Sequence, residues 1–311
     1  MKTPTTGTSV FTASAYTPSV DTVRTTNFAV DMTFSKARAD AAEPFWWLDR
    51  LRGYPTSTGL TSVRRLESDS GVAETTSSSL YPQLANVWNA QYTDGQYLSG
   101  TSSVFYLFGR APGFFDEVCY TGAGSATTFS HNLAAVPQLM IIKRRSAGTS
   151  SWTVYSATLG NTSGLELNTD GAVITGATTY WNSTTPTSTV FTVGTDAAVN
   201  NSGSTYVAYL FASVSGVSKV GSYTGTGSTQ TIDCGFTGGA RFVLIKRTDS
   251  TGAWFVWDTS RGMVAGNDTR LEVNSTAAQV NANWVYTTSV GFQAVAGVIT
   301  SGATYIYLAI A

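Results

Sequence analysis

The chain has little of what active-site chemistry draws on. It holds one histidine in 311 residues, His131. A hydrolytic triad or a histidine-based metal centre needs more partners than that, so neither is expected. It holds two cysteines, Cys119 and Cys234, too few for a disulfide framework. They fall at different positions of different segments and read as two free, buried thiols. Charged residues make up 12% of the chain, about half the usual share, and the formal net charge is −1. That balance excludes the basic field that nucleic acid binding requires. The densest basic run, Lys143-Arg144-Arg145, reads as a strand end with solvated heads. No apolar stretch is long enough to span a bilayer, and residues 1–15 lack the hydrophobic core of a signal peptide. Membrane insertion is therefore not expected. Hydroxyls stand in for charges: Ser and Thr make up roughly a quarter of the chain. A hydrophobic share of 42% is enough for a buried core.

What is present is repetition. The phrase YTGAGSATTFSHNLAAVPQLMIIKRR starts at Tyr120, and YTGTGSTQTIDCGFTGGARFVLIKRT starts at Tyr223. A divergent copy starts at Tyr16, so the spacing is about 103 residues. That is one small domain per copy rather than one solenoid unit. Each copy runs through the same series. An apolar run ends in lysine (Lys36, Lys143, Lys246). After a turn comes an aromatic strand, with Trp46 or Trp47, Trp152 and Trp254 in register. A tight glycine closes it (Gly53, Gly160, Gly262), and a Leu-Glu pair follows (Glu67, Glu166, Glu272). The last strand is Ser103–Phe108, Tyr206–Phe211 or Tyr305–Ile310. Short runs of β-branched and aromatic residues between Gly/Ser/Thr/Asn turns are the strand signal. In the last strand both alternating sets are apolar, so it is buried on both faces or central in a sandwich. The expected fold is all-β: three tandem antiparallel β-sandwiches of jelly-roll or concanavalin-like type, about 100 residues each. The boundaries read as an N-terminal arm over 1–15, then repeats over 16–112, 113–217 and 218–311. Residues 74–100 of the first repeat do not align with the others. The joints are too short for flexible tethers, so neighbouring domains should touch.

Catalytic pairs are hard to assemble from these residues. Glu67, Glu166 and Glu272 recur at one equivalent position, whereas a glycosidase needs two different positions in one site. Gly122-x-Gly124 and Gly225-x-Gly227 lack the third glycine and the helix of a phosphate loop, and read as hairpin turns. No calcium-loop ligand series appears. No enzyme activity, cofactor or metal is expected. Asp49 with Arg52 and Asp258 with Arg261 match in two copies, while the second copy holds Ser156 and Leu159. An Asp accepting from Arg or from turn amides would pin the turn that ends at Gly53 or Gly262. Trp88, Trp181 and Trp284 fall in polar, loop-like stretches. They are the candidate surface contacts, either as plugs on the sandwich edge or as platforms for a sugar ring.

The phrases YTGxGSxxTI, ARFVLIKRTDSTGxWFVWDTxRG, RLEVNSTAA and GATYIYLAIA, together with RAPGFFDEVCYTGxGSA and HNLxxxPQLMIIKRR, support a resemblance. It resembles a repeated β-domain of uncharacterised tail-fibre-like and structural proteins of tailed bacteriophages, many of them marine. The resemblance covers copies 2 and 3 nearly end to end and copy 1 in part. It implies a virion or appendage protein, assembled in the host cytoplasm, whose partners are other virion proteins. Repeated weak contacts would act through multivalency, with a homo-oligomer expected and a trimer favoured. Host-surface glycans are the alternative partner, in which case the chain would be a carbohydrate-binding adhesin. A polysaccharide depolymerase is a third possibility. The Thr-rich arm before Tyr16 would then dock on a neighbouring subunit.

Overall fold

The computed structural model describes residues 2–16, 23–39, 42–53, 63–77, 80–81, 87–89, 91–92, 102–146 and 148–311. The fold is all-β and antiparallel, in keeping with sandwich packing. Three six-stranded sheets carry it, and each has the same order. Numbering the strands of a sheet along the chain, that order is first, sixth, second, third, fourth, fifth. The sheet of the first repeat contains Phe11–Tyr16, Met32–Ala37, Trp46–Asp49, Val63–Glu67, Thr75–Ser77 and Ser103–Phe108. The second contains Phe115–Thr121, Leu139–Arg144, Trp152–Ser156, Ser163–Glu166, Ile174–Thr175 and Thr205–Phe211. The third contains Ser218–Thr224, Phe242–Arg247, Trp254–Asp258, Asp268–Glu272, Val280–Ala282 and Thr304–Ile310. The second part of the stretch 1–15, expected as an N-terminal arm, instead belongs to the edge strand Phe11–Tyr16 of the first sheet, with Phe11 opposite Phe108 and Tyr16 opposite Ser103. The reason is its alternation: Phe11 and Ala13 turn inward to the core.

The last strand of each repeat shows why both of its faces are apolar. Val207, Tyr209 and Phe211 face one core, while Tyr206, Ala208 and Leu210 face another. In the third repeat Ile306, Leu308 and Ile310 face the first core, and Tyr305, Tyr307 and Ala309 face a separate one. The separate cores lie between each large sheet and a small outer one. The outer sheet of the second repeat pairs Thr127–Ser130 with Val190–Val193. That of the third joins Gln230–Asp233, Gly291–Ala294 and Val285–Thr287.

The remaining core belongs to all three repeats at once. Phe108 makes ring contacts with Phe11 and Phe34 of its own repeat, with Phe115 and Phe211 of the second, and with Phe242 of the third. Trp47 packs on Trp152 and Tyr209. The three large sheets thus turn their inner faces toward one another. The edges between them are stitched by one repeated backbone bond. Glu74 N donates to Arg145 O at 2.9 Å, Val173 N to Thr248 O at 2.8 Å, and Gln279 N to Arg38 O at 2.8 Å. Repeat 1 bonds to 2, 2 to 3, and 3 back to 1, so the repeats form a closed ring. The joints repeat as well. Val10 N bonds Gly7 O, Phe114 N bonds Ala111 O and Val217 N bonds Val214 O, at 3.2, 3.1 and 2.9 Å.

Candidate functional site

The polar chemistry of this molecule is concentrated at the three seams of the ring. The turn after the aromatic strand supplies it. In the third repeat the Asp258 carboxylate accepts from Arg261 N at 3.0 Å and from Arg261 Nε at 2.5 Å. Gly262 then takes a left-handed φ of 91°, a conformation glycine adopts at no steric cost. Arg261 Nη2 also donates to Val256 O at 3.1 Å, which fastens the guanidinium to its own strand. The first repeat builds the same turn: Arg52 N donates to Asp49 at 2.9 Å, Arg52 Nε pairs with Asp49, and Nη2 reaches Trp47 O at 2.7 Å. Asp49, Arg52, Asp258 and Arg261 are all buried.

Each of these turns receives a tyrosine from the neighbouring repeat. Tyr106 Oη donates to Asp258 at 2.8 Å, and Tyr209 Oη donates to Asp49 at 2.6 Å. Burial, chiefly, holds both phenols well above their usual range. Burial works against the Arg52 charge, but the Asp49 carboxylate outweighs it and the guanidinium stays charged. The third seam lacks the whole set. Ser156 and Leu159 replace Asp and Arg, and Leu308 replaces the tyrosine. Ser156 and Leu308 instead line a small apolar cavity with Leu244 and Trp254. Tyrosine, aspartate and arginine are present together or absent together, as expected of groups that satisfy one another in a buried site.

The recurring lysines form a second set of seam contacts. Lys143, read as a solvated head, is buried, because its ammonium finds carbonyls on two repeats. It donates to Ser150 O at 2.6 Å in its own turn and to Gly71 O at 2.8 Å in the preceding repeat. Lys246 reaches Gly252 O at 2.8 Å and Asp170 O at 3.2 Å, and Lys36 reaches Glu43 O and Ser275 O. Burial lowers Lys143 and Lys246 to about 8. The indoles add a further crossing: Trp152 Nε1 donates to Glu67 O and Trp254 Nε1 to Glu166 O, each at 2.9 Å. The register of the first copy needs correcting here. Trp46 lies opposite Glu67, where Thr153 and Phe255 lie opposite Glu166 and Glu272. Phe45, not Trp46 or Trp47, therefore matches Trp152 and Trp254. Phe45 has no N–H to give, and at that seam Ser68 Oγ donates to Val273 O at 2.6 Å.

The seam between repeats 1 and 2 carries the most charge. Glu74 accepts from Arg52, Arg64 and Arg145 at 3.2, 2.7 and 2.9 Å. Nearby Glu117 is buried, and among the described residues neither of its carboxylate oxygens has a hydrogen-bond partner. Burial, then the Asp49 and Asp31 carboxylates, pushes it well above the ordinary carboxylate range. The folded state keeps this proton where the unfolded chain has lost it. The contribution to stability is therefore full below the unfolded value of 4.5 and declines as pH rises toward the folded value. Glu117→Gln should gain about 1–3 kcal/mol at pH 8 relative to the wild type and change little at pH 4. Melting curves at both pH values check this; an equal effect at the two would rule it out.

The candidate surface tryptophans lie elsewhere. Trp181 is fully buried, packs edge-on against Tyr155 and donates Nε1 to Ser163 O at 2.8 Å. Of the two alternatives for it, the plug agrees with this placement and the sugar platform does not: the single helical turn Thr178–Trp181 folds it under the surface. Trp284 is half-buried. The Arg270 guanidinium lies 4.2 Å from its ring centre, Phe255 packs edge-on, and the Gly297 backbone passes so close that a Cβ there would sit 2.3 Å from the indole. The backbone of Trp88 pairs opposite Arg24; its side chain lies outside the described residues, as does most of 74–100. His131 Nδ1 accepts from Leu133 N, and Nε2 faces Thr187 O, both at 3.2 Å. Burial lowers its pKa, which favours the neutral ring. Cys119 and Cys234 are free, and burial raises them to about 11 and about 12.

Among the described residues, no group of three or more His, Cys, Asp or Glu is placed to hold a metal ion, and no helix is long and apolar enough to cross a membrane. Residues 84–311 match the model of a family described as a domain of unknown function, DUF7483. The match takes in the second and third repeats and the last strand of the first. No curated protein matches the chain.

Proposed function

We propose that this chain, a member of the DUF7483 family, is a bacteriophage virion structural protein, on the resemblance of its repeated phrases and on the ring that its repeats form. In this reading it is a fibre, tail-appendage or capsid-decorating component. Its three repeats are sandwich units of jelly-roll or concanavalin-like type, and they act as one rigid spacer and adhesion element. The observation that carries the reading is the closed ring around a shared aromatic core, seen with Phe108 against both other repeats. A block in which each repeat is clamped by two others resists bending, which is what a spacer in a particle requires. The seam residues serve that rigidity. Other virion proteins are the partners, and a homo-oligomer, with a trimer favoured, multiplies the contacts.

Immunogold labelling and mass spectrometry of purified particles test the reading. Label at one recurrent place on the particle is the expected result. A protein found in infected-cell lysate and on no part of a particle overturns it.

A further inference from the structure

The edge strands that open the three repeats differ at one inward position. Ala13 lies opposite Tyr106, Glu117 opposite Tyr209 and Val220 opposite Leu308, so the three are equivalent. Ala13 and Val220 pack on the shared core, and Val220 lines the small cavity of the seam between repeats 2 and 3 with Ser156 and Leu308. Equivalence puts Glu117 at the same place in the seam between repeats 1 and 2, where Asp49 and Tyr209 replace Ser156 and Leu308. The Asp49 carboxylate is the strongest charge acting on Glu117, and Tyr209 feels Glu117 in turn. Two repeats thus place an apolar side chain where the second places a carboxyl group, buried and, among the described residues, without a hydrogen-bond partner.

The charges around Glu117 are already matched. Asp49 is paired with Arg52, Asp31 with Arg50, Asp116 with Arg110, and Glu74 with Arg52, Arg64 and Arg145. Besides Tyr209, the remaining ionisable neighbour is Cys119 on the same strand. Among the described residues, no ion pair includes Glu117. Ionised, it would be a second buried carboxylate beside Asp49, with Arg52 already committed. The seam between repeats 3 and 1 has the same Asp-Arg-Tyr set but holds Ala13 at this place, so the conflict does not arise there. The seam between repeats 2 and 3 lacks both the set and the carboxyl group.

We propose that the seam between repeats 1 and 2 is held shut by a proton on Glu117, and that it opens with release of that proton while the other two seams are indifferent to pH. Opening brings the carboxyl group into water, where its ordinary value is 4.5. Above that pH each opening releases one proton, so the open fraction rises about tenfold per pH unit until the closed-state value is reached. Arg52 carries the effect to the seam edge: it pairs with both Asp49 and Glu74, and Glu74 N donates to Arg145 O across the seam. Between pH 5 and 7 the other shifted groups of this seam keep their charge. Burial would raise Glu74, but Arg145, Arg52 and Arg64 hold it low. Burial lowers Lys143 only to about 8 and raises Cys119 to about 11.

Amide hydrogen exchange on the full chain tests this, read as protection factors so that the base catalysis of exchange itself is removed. The Glu74 amide reports the seam between repeats 1 and 2, Val173 that between 2 and 3, and Gln279 that between 3 and 1. From pH 5 to 7, protection at Glu74 should fall at least tenfold, and at Val173 and Gln279 less than twofold. Glu117→Val installs the residue that repeat 3 already carries at this position, and Glu117→Gln keeps the shape without the charge. In both variants the fall at Glu74 should disappear. An equal fall at all three amides, no fall at Glu74, or a fall that survives in both variants overturns the proposal.

Discussion

Asp49→Ala will destabilise the protein by about 3–5 kcal/mol, the usual cost of leaving a buried charge without its partner. Three bonds are lost together: those from Arg52 N, Arg52 Nε and Tyr209 Oη. Arg52 stays behind with its side chain fully buried, held by Trp47 O at 2.7 Å and by the longer contact to the Glu74 carboxylate at 3.2 Å. Tyr209→Phe is the milder test. It removes one bond to a charged acceptor and should cost about 1.5–3 kcal/mol. Ser156→Ala, at the seam without a tyrosine, should cost less than either. Urea titrations of the three variants check the ranking. An Asp49→Ala loss below 1 kcal/mol would show that this seam does not hold the ring.

Phe108→Ala will cost about 3–5 kcal/mol, the range for emptying a large aromatic site in a packed core. Its second effect is more telling. The ring of Phe108 meets Phe211 of the second repeat at 5.8 Å and Phe242 of the third at 6.3 Å. Cavity formation there withdraws contacts from all three repeats. Wild type and variant should each unfold in one transition, with the whole curve displaced. Calorimetry that resolves separate transitions, only one of them moved by Phe108→Ala, would mean the repeats are independent.

Much of the fold was legible because a strand writes its environment at every second residue. The apolar last strands announced two buried faces, and the repeats announced equivalent sheets. The closure was not legible. The groups that complete each inner face belong to other copies, and equivalence between copies does not state that they touch. Lys143 illustrates the gap: its neighbours in sequence are Arg144 and Arg145, yet its bond partner Gly71 lies 72 positions away. Trp181 sits in a polar stretch that does not by itself decide between a plug and a surface platform, because one turn of helix is too short to show a period. Of the seam sites, the Asp-Arg pairs could be found by aligning copies. The tyrosines could have been found by asking which last-strand residue changes where Asp49 becomes Ser156. Glu117 carried no signal beyond being a carboxylate within an edge strand.

The unequal seams give the ring a direction. Repeat 1 offers Asp49 to Tyr209, repeat 3 offers Asp258 to Tyr106, and repeat 2 offers Ser156 to Leu308. Run the ring in the opposite order and Leu308 would face Asp49, Tyr106 would face Ser156, and a buried carboxylate and a buried phenol would each lack a mate. Three near-identical modules could dock in either sense on shape alone. The tyrosines and aspartates act as an address, so the polypeptide closes clockwise or anticlockwise by chemistry, not by chance.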